Sequence, residues 1–178
     1  MAKLPRLMSP DLPQFIEPAR LADEEQHLEG EFGIASLDRL REIVCDTAGK
    51  VAFRIRFKND DQGIIRVTGE YSAQLTLLCQ RCLEPMEIAL TNAITIGMVS
   101  DRTEVKRVLD PFEPVFLDGR EIALLTLIED EVLLGLPMKQ VHSADACPAA
   151  VRIRERNGAR KKDSTPFAVL KTMKLNKR

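Results

Sequence analysis

Apolar and polar residues alternate along the middle of the chain with a period of two. In VAFRIRF, Val51, Phe53, Ile55 and Phe57 alternate with polar neighbours, which predicts a half-buried strand. NDDQG, from Asn59 to Gly63, supplies turn chemistry. A longer strand follows, with Ile65, Val67, Gly69, Tyr71, Ala73, Leu75, Leu77 and Cys79 all on odd positions. Gly69 inside that pattern suggests a bulge or bend. After QRCLEP the alternation resumes on even positions, at Met86, Ile88, Leu90, Ile94 and Ile96. Cys79 and Cys82 are therefore expected at the tip of a β-hairpin.

The period changes in REIALLTLIEDEVLLGL, where Ile122, Leu125, Ile128, Val132, Leu133 and Leu136 form an apolar helical stripe. Asp118 is its expected N-cap, Glu121 completes a capping box, and Pro137 ends it. A shorter helix, LDRLREIV, is expected behind Ser36 as N-cap, with Leu37, Leu40 and Val44 on one face. LEGEFGI reads as a short strand, and one helical turn fits around Pro18 to Glu24. Residues 148–163 lack periodicity and read as a basic linker. Beyond them Ser164 or Thr165 can cap a short helix with Pro166 at its first position. Phe167 and Leu170 are its candidate docking residues.

These elements predict an α+β fold: a curved antiparallel sheet, partly barrel-like, with one main packing helix and a basic, partly disordered C-terminal tail. The expected division is an extended lead-in over residues 1–27, one α+β domain over 28–147, and a basic linker with a short helix over 148–178.

Composition sharpens this picture. Hydrophobic residues make up 44% and charged residues 30%, the balance of a soluble globular protein, while aromatics are only 4% with no Trp. That argues against a broad aromatic platform for stacking bases. The N-terminal stretch has no apolar signal-peptide core, and no apolar run approaches the roughly 18 residues of a membrane span. A cytoplasmic protein without a membrane partner is expected, and no small-molecule substrate is evident.

The net charge of −1 hides a split: residues 149–178 carry ten basic and two acidic side chains, +8, leaving −9 for residues 1–148. Such a tail suggests a polyanionic partner, with Arg152, Arg154, Arg156, Arg160, Lys161, Lys162, Lys171 and Lys174 as candidate RNA contacts. The alternative is a solvated tail that aids solubility.

Three readings of the C-x-x-C compete: a redox pair, half a metal site, or two small thiols packed at a turn. Strand periodicity on both flanks leaves no helix dipole aimed at either sulfur, which counts against redox chemistry. Zinc needs two more ligands, and PMKQVHSADACP offers His142 and Cys147. One structural zinc held by Cys79, Cys82, His142 and Cys147 is the candidate cofactor. Cys45, beside Val44, reads as a core thiol. No G-x-S-x-G or P-loop is present, and the H-x-E at His27 to Glu29 lies in an acidic stretch without the P-C-x-x-C of a zinc deaminase, since Leu78 precedes Cys79, so no catalytic residue is expected. Glu129 falls inside the apolar stripe and needs a buried partner; Arg81 is the candidate for an ion pair.

Three blocks together, LLCQRCLEPM, LIEDEVLLGLPMKQVHSADAC and TPFAVLKTMK, resemble the large ribosomal RNA subunit accumulation protein family (YceD). E-D-E-x-x-L-x-L-P from Glu129 to Pro137 and P-F-A-V-L from Pro166 to Leu170 are the most specific pieces; Thr165 stands where relatives often have Asn. The resemblance implies a non-enzymatic ribosome-biogenesis role in synthesis, processing or stability of large-subunit (23S) ribosomal RNA. Implied partners are a pre-ribosomal particle or that RNA, and a ribosomal or assembly protein. Two alternatives are a protein-binding module without RNA contact and a zinc-dependent RNA-processing enzyme. Some relatives carry a second cysteine pair where this chain has His142 and Cys147, a swap that preserves zinc chemistry.

Overall fold

A computed structural model describes residues 12–108 and 111–159. The expected alternations become strands β3 (Lys50–Asn59), β4 (Ile65–Leu78) and β5 (Pro85–Val99), after β1 (Phe15–Ile16) and β2 (His27–Gly33). β6 (Glu113–Phe116) and β7 (Ile122–Ala123) complete the strands among the described residues, and the α-helices are α1 (Pro18–Asp23), α2 (Asp38–Arg41), α3 (Leu124–Leu134) and α4 (Pro148–Ala159).

The fold is α+β. A five-stranded sheet has the order β2-β3-β4-β5-β6, and β1 and β7 pair separately. The first four strands of the larger sheet are antiparallel, as their alternation predicted. Two corrections apply to the rest. β6 pairs with β5 in parallel; a parallel connection needs about a dozen residues, and the sequence between the two strands supplies that length. The sheet also stays open, ending at β2 and β6, so no barrel closes.

One face of the sheet builds the core. Val51, Phe53, Ile55 and Phe57 of β3 and Val67, Tyr71, Ala73, Leu75 and Leu77 of β4 are buried. Leu124, Ile128 and Val132 of α3 close over them together with Leu37 and Leu40. Burying these side chains supplies the main favourable term of folding. Gly69 is not a bulge, since its register with Ile55 and Ile94 is unbroken. A Cβ there would lie 2.0 Å from the Arg54 carbonyl, so strand approach excludes any other side chain. Gly135, just past α3, is held by the same logic: its Cβ would lie 1.7 Å from the Tyr71 hydroxyl.

Helix boundaries depart from the one-dimensional signals. α3 starts at Leu124, behind Ala123, without a side-chain cap. Asp118 and Glu121 do not form the expected box, because Ile122 and Ala123 pair with Ile16 and Phe15. Ser36 does not cap α2 either; its hydroxyl donates to the Gly33 carbonyl at 2.7 Å. α2 is only four residues long, and Val44 leaves it to bridge to Leu77. Cys45, expected in the core, is exposed. The turn around Pro18 forms as α1, whose Ala22 is buried. Residues 148–159, expected as an aperiodic linker, are helix α4.

Glu129 is buried at 3% exposure, as its place in the stripe required, but its partner is Arg39 and not Arg81. Its Oε1 accepts the backbone N–H of Arg39 at 2.8 Å and of Leu40 at 3.1 Å. Its Oε2 accepts Arg39 Nε and Nη2, both at 2.9 Å, while Asp130 Oδ1 takes Arg39 Nη1 at 2.5 Å. The helical stripe was right about burial; only the tertiary arrangement brings α2 across α3 and supplies the cation.

Candidate metal centre

The long β4–β5 hairpin runs in unbroken register from Ile65↔Met98 to Leu78↔Pro85, and residues 79–84 form its tip. Cys79 N–H donates to the Glu84 carbonyl at 2.9 Å, and Leu83 N–H donates to the Cys79 carbonyl at 2.8 Å. Leu83 closes this tight turn at φ 60°, a left-handed conformation that a Leu adopts only where the turn demands it.

The tip folds so that backbone N–H groups point at sulfur. Burial opposes ionisation of Cys79, yet the N–H groups of Cys82, His142 and Arg81 outweigh it and hold this thiol down to about 5. Burial pushes the Cys82 thiol up, and the adjacent Cys79 and Cys147 sulfurs add to the rise, while the Glu84 N–H opposes it.

The second half of the group comes from the loop after α3. Gln80 N–H donates to the Gln140 carbonyl at 2.7 Å, which lays this loop beside the hairpin tip. Cys147 is fully buried where the loop enters α4. Burial opposes ionisation of its thiol, but the Ala150 N–H, the Cys82 thiol, the Ala149 N–H and the Arg81 guanidinium together lower it. Arg81 therefore serves the sulfur cluster. His142 turns Nδ1 to Cys82 Sγ at 3.3 Å, and its Nε2 lies 3.2 Å from the Pro85 carbonyl. A carbonyl only accepts, so Nε2 carries the proton and Nδ1 is the nitrogen available to a metal. The Cys79 sulfur, foremost, raises the His142 pKa.

The structure thus brings all four sequence-predicted ligands together, with donor atoms within 4.8 Å of one another. A tetrahedral shell with Zn–S bonds of about 2.3 Å needs sulfurs about 3.8 Å apart, so small side-chain adjustments suffice. Three thiols and one imidazole form a Cys₃His set, and the Nε2–H to carbonyl contact is the outer support usual for a ligating histidine. The residues present fit a zinc ion.

The remaining candidate residues divide into two groups. Arg152, Arg154 and Arg156 lie on α4 and are exposed. Arg160, Lys161, Lys162, Phe167, Leu170, Lys171 and Lys174 lie outside the described residues. A concavity of about 690 Å³ spans β2 to β5, lined by residues such as Glu29, Arg54, Glu70 and Ser72, with no cysteine or histidine. Sequence reasoning missed Arg39 and the sulfur-directed Arg81. The available signal for Arg39 was the Glu129–Asp130 pair, which calls for one multi-donor cation.

Comparison with known proteins follows the same residues. The family model for Large ribosomal RNA subunit accumulation protein YceD matches residues 67–174, which include the four ligands, Glu129 and α4. A relative from Haemophilus influenzae, described as Large ribosomal RNA subunit accumulation protein YceD, is 28% identical over 169 residues, covering 92% of this chain and 96% of its own. No solved structure matches. Among the described residues, no helix is long and apolar enough to cross a membrane.

Proposed function

This chain belongs to the large ribosomal RNA subunit accumulation protein family, and from that premise we propose that it is a non-enzymatic, cytoplasmic factor that contacts large-subunit ribosomal RNA or its precursor particle. The body docks on the particle while the basic arm from α4 onward screens phosphates. The observation that carries this reading is the segregation of charge: Arg152, Arg154 and Arg156 stand exposed on a helix, at the start of a +8 segment attached to a −9 body.

Cys79, Cys82, His142 and Cys147 form a structural zinc centre in this reading. Zinc would neutralise the thiolates and staple the hairpin tip to the loop before α4. Four protein ligands complete a tetrahedron and leave no position for water or substrate, which favours a structural role over a catalytic one.

The test is the salt dependence of binding to pre-ribosomal particles. Each phosphate contact adds about 0.7–0.9 to the slope of log affinity against log salt. Removing residues 152–178 should flatten that slope, and an unchanged slope refutes the RNA contact. A second reading, protein docking without direct RNA contact, draws on Leu83 at the hairpin tip and Met138 in the loop after α3, which are 73% and 98% exposed. Charge-neutral substitutions in the arm separate the two readings: they abolish RNA binding and spare protein docking.

A further inference from the structure

Helix α4 spans 12 residues, and every residue from Val151 to Gly158 is exposed. No other helix or strand among the described residues makes extensive contact with it. A helix this short is marginal in water by itself, and Val151, Ile153, Asn157 and Gly158 all weaken it further. Its order must therefore come from its first turn.

That turn is built on a metal ligand. The Cys147 carbonyl accepts the Val151 N–H at 3.1 Å, and the Ala149 and Ala150 N–H groups help to lower the Cys147 thiol pKa. Cys147 N–H is itself tied back to the Ser143 carbonyl at 3.1 Å. The remaining described tie is an ion pair between Arg154 and Asp145 at 3.0 Å, whose side chains are 64% and 88% exposed, and such exposed pairs contribute little. Cys147 thus ties the first turn of the helix to the candidate metal cluster.

We propose that the Cys₃His centre is the ordering device of the basic arm: metal occupancy at Cys79, Cys82, His142 and Cys147 fixes α4, and loss of the metal lets the arm fray. This rests on the metal and RNA readings above. With metal bound, the guanidinium groups of Arg152, Arg154 and Arg156 are presented on a preformed helix. Without it, the arm must be ordered at the moment of binding, which weakens affinity for RNA.

The experiment uses the full chain, loaded with zinc or stripped by chelator and desalted. Zinc content, amide hydrogen exchange and binding to a fluorescein-labelled large-subunit ribosomal RNA transcript are measured on the same samples. Stripping should speed exchange across 151–158 by about tenfold or more while β3 and the Tyr71 region of β4 keep their protection. RNA affinity should fall by about fivefold or more in parallel. Cys82→Ser, which removes a ligand remote from α4 in sequence, should reproduce both changes in zinc-containing buffer. A chain that takes up no zinc overturns the inference together with the metal reading. A chain that takes up zinc with unchanged exchange over 151–158 overturns the inference alone. Altered exchange with equal RNA affinity in both states overturns the link to RNA and leaves the ordering of the arm standing.

Discussion

Two acidic clusters in this molecule are completed in opposite ways. Glu129 is closed by the chain itself: two backbone N–H groups and the Arg39 guanidinium meet its oxygens, and α2 is thereby held on α3. The sulfurs of Cys79, Cys82 and Cys147 receive N–H groups and the Arg81 side chain, yet they crowd one another and share one imidazole. The first is a finished structural clamp. The second is a donor set whose charge calls for a cation from outside the chain. The difference separates what holds the body from what can respond to its surroundings; Glu129 and the four candidate ligands lie in the family-matched span, while Arg39 and Leu40 lie before it.

The largest expected effect is at the clamp. Glu129→Ala strands Arg39 and two N–H groups and should cost about 3–4 kcal/mol in denaturant unfolding. The variant should still take up zinc, and loss of both properties would erase the distinction between the two regions. Zinc withdrawal comes next. At free zinc a hundredfold above the dissociation constant it should lower stability by about 2.7 kcal/mol, with a dependence on zinc concentration that Cys82→Ser lacks. Gly135→Ala, which drives a methyl group into Tyr71 and Asn92, should cost about 2 kcal/mol without changing metal uptake.

The smallest effect sharpens the clamp side of the comparison. Burial, with the charges of Glu113 and Asp130, holds the Glu131 carboxyl up to about 7, against 4.5 for a free side chain. The folded chain then binds more protons than the unfolded chain between these values, so this group's contribution to stability falls as pH rises from about 4.5 through 7. Glu131→Gln should therefore gain about 1–2 kcal/mol at pH 8 and nothing at pH 4, measured as paired unfolding curves. A flat difference across pH would remove Glu131 from the account.

Strands and the candidate ligand cluster were legible for a physical reason: they depend on short-range rules. Period-two alternation put Cys79 at the end of β4 and turned C-x-x-C into a hairpin tip. Ligand chemistry then selected His142 and Cys147, which the fold brings to the sulfurs. Two of the errors involve competition from distant residues. Asp118 and Glu121 are a sound capping box in isolation, but β1 claims Ile122 and Ala123. Arg81 was chosen for Glu129 by strand parity, whereas parity carries no information about where α2 crosses. α4 has no amphipathic stripe, and its described residues from Val151 onward are exposed, so periodicity could not reveal it.

The most direct test of the central claim is the metal content of the full chain purified without chelator. One zinc per chain is expected, falling to none in Cys82→Ser and unchanged in Cys45→Ser, whose thiol lies outside the group. Protein that is metal-free as isolated and takes up no zinc on titration would contradict it.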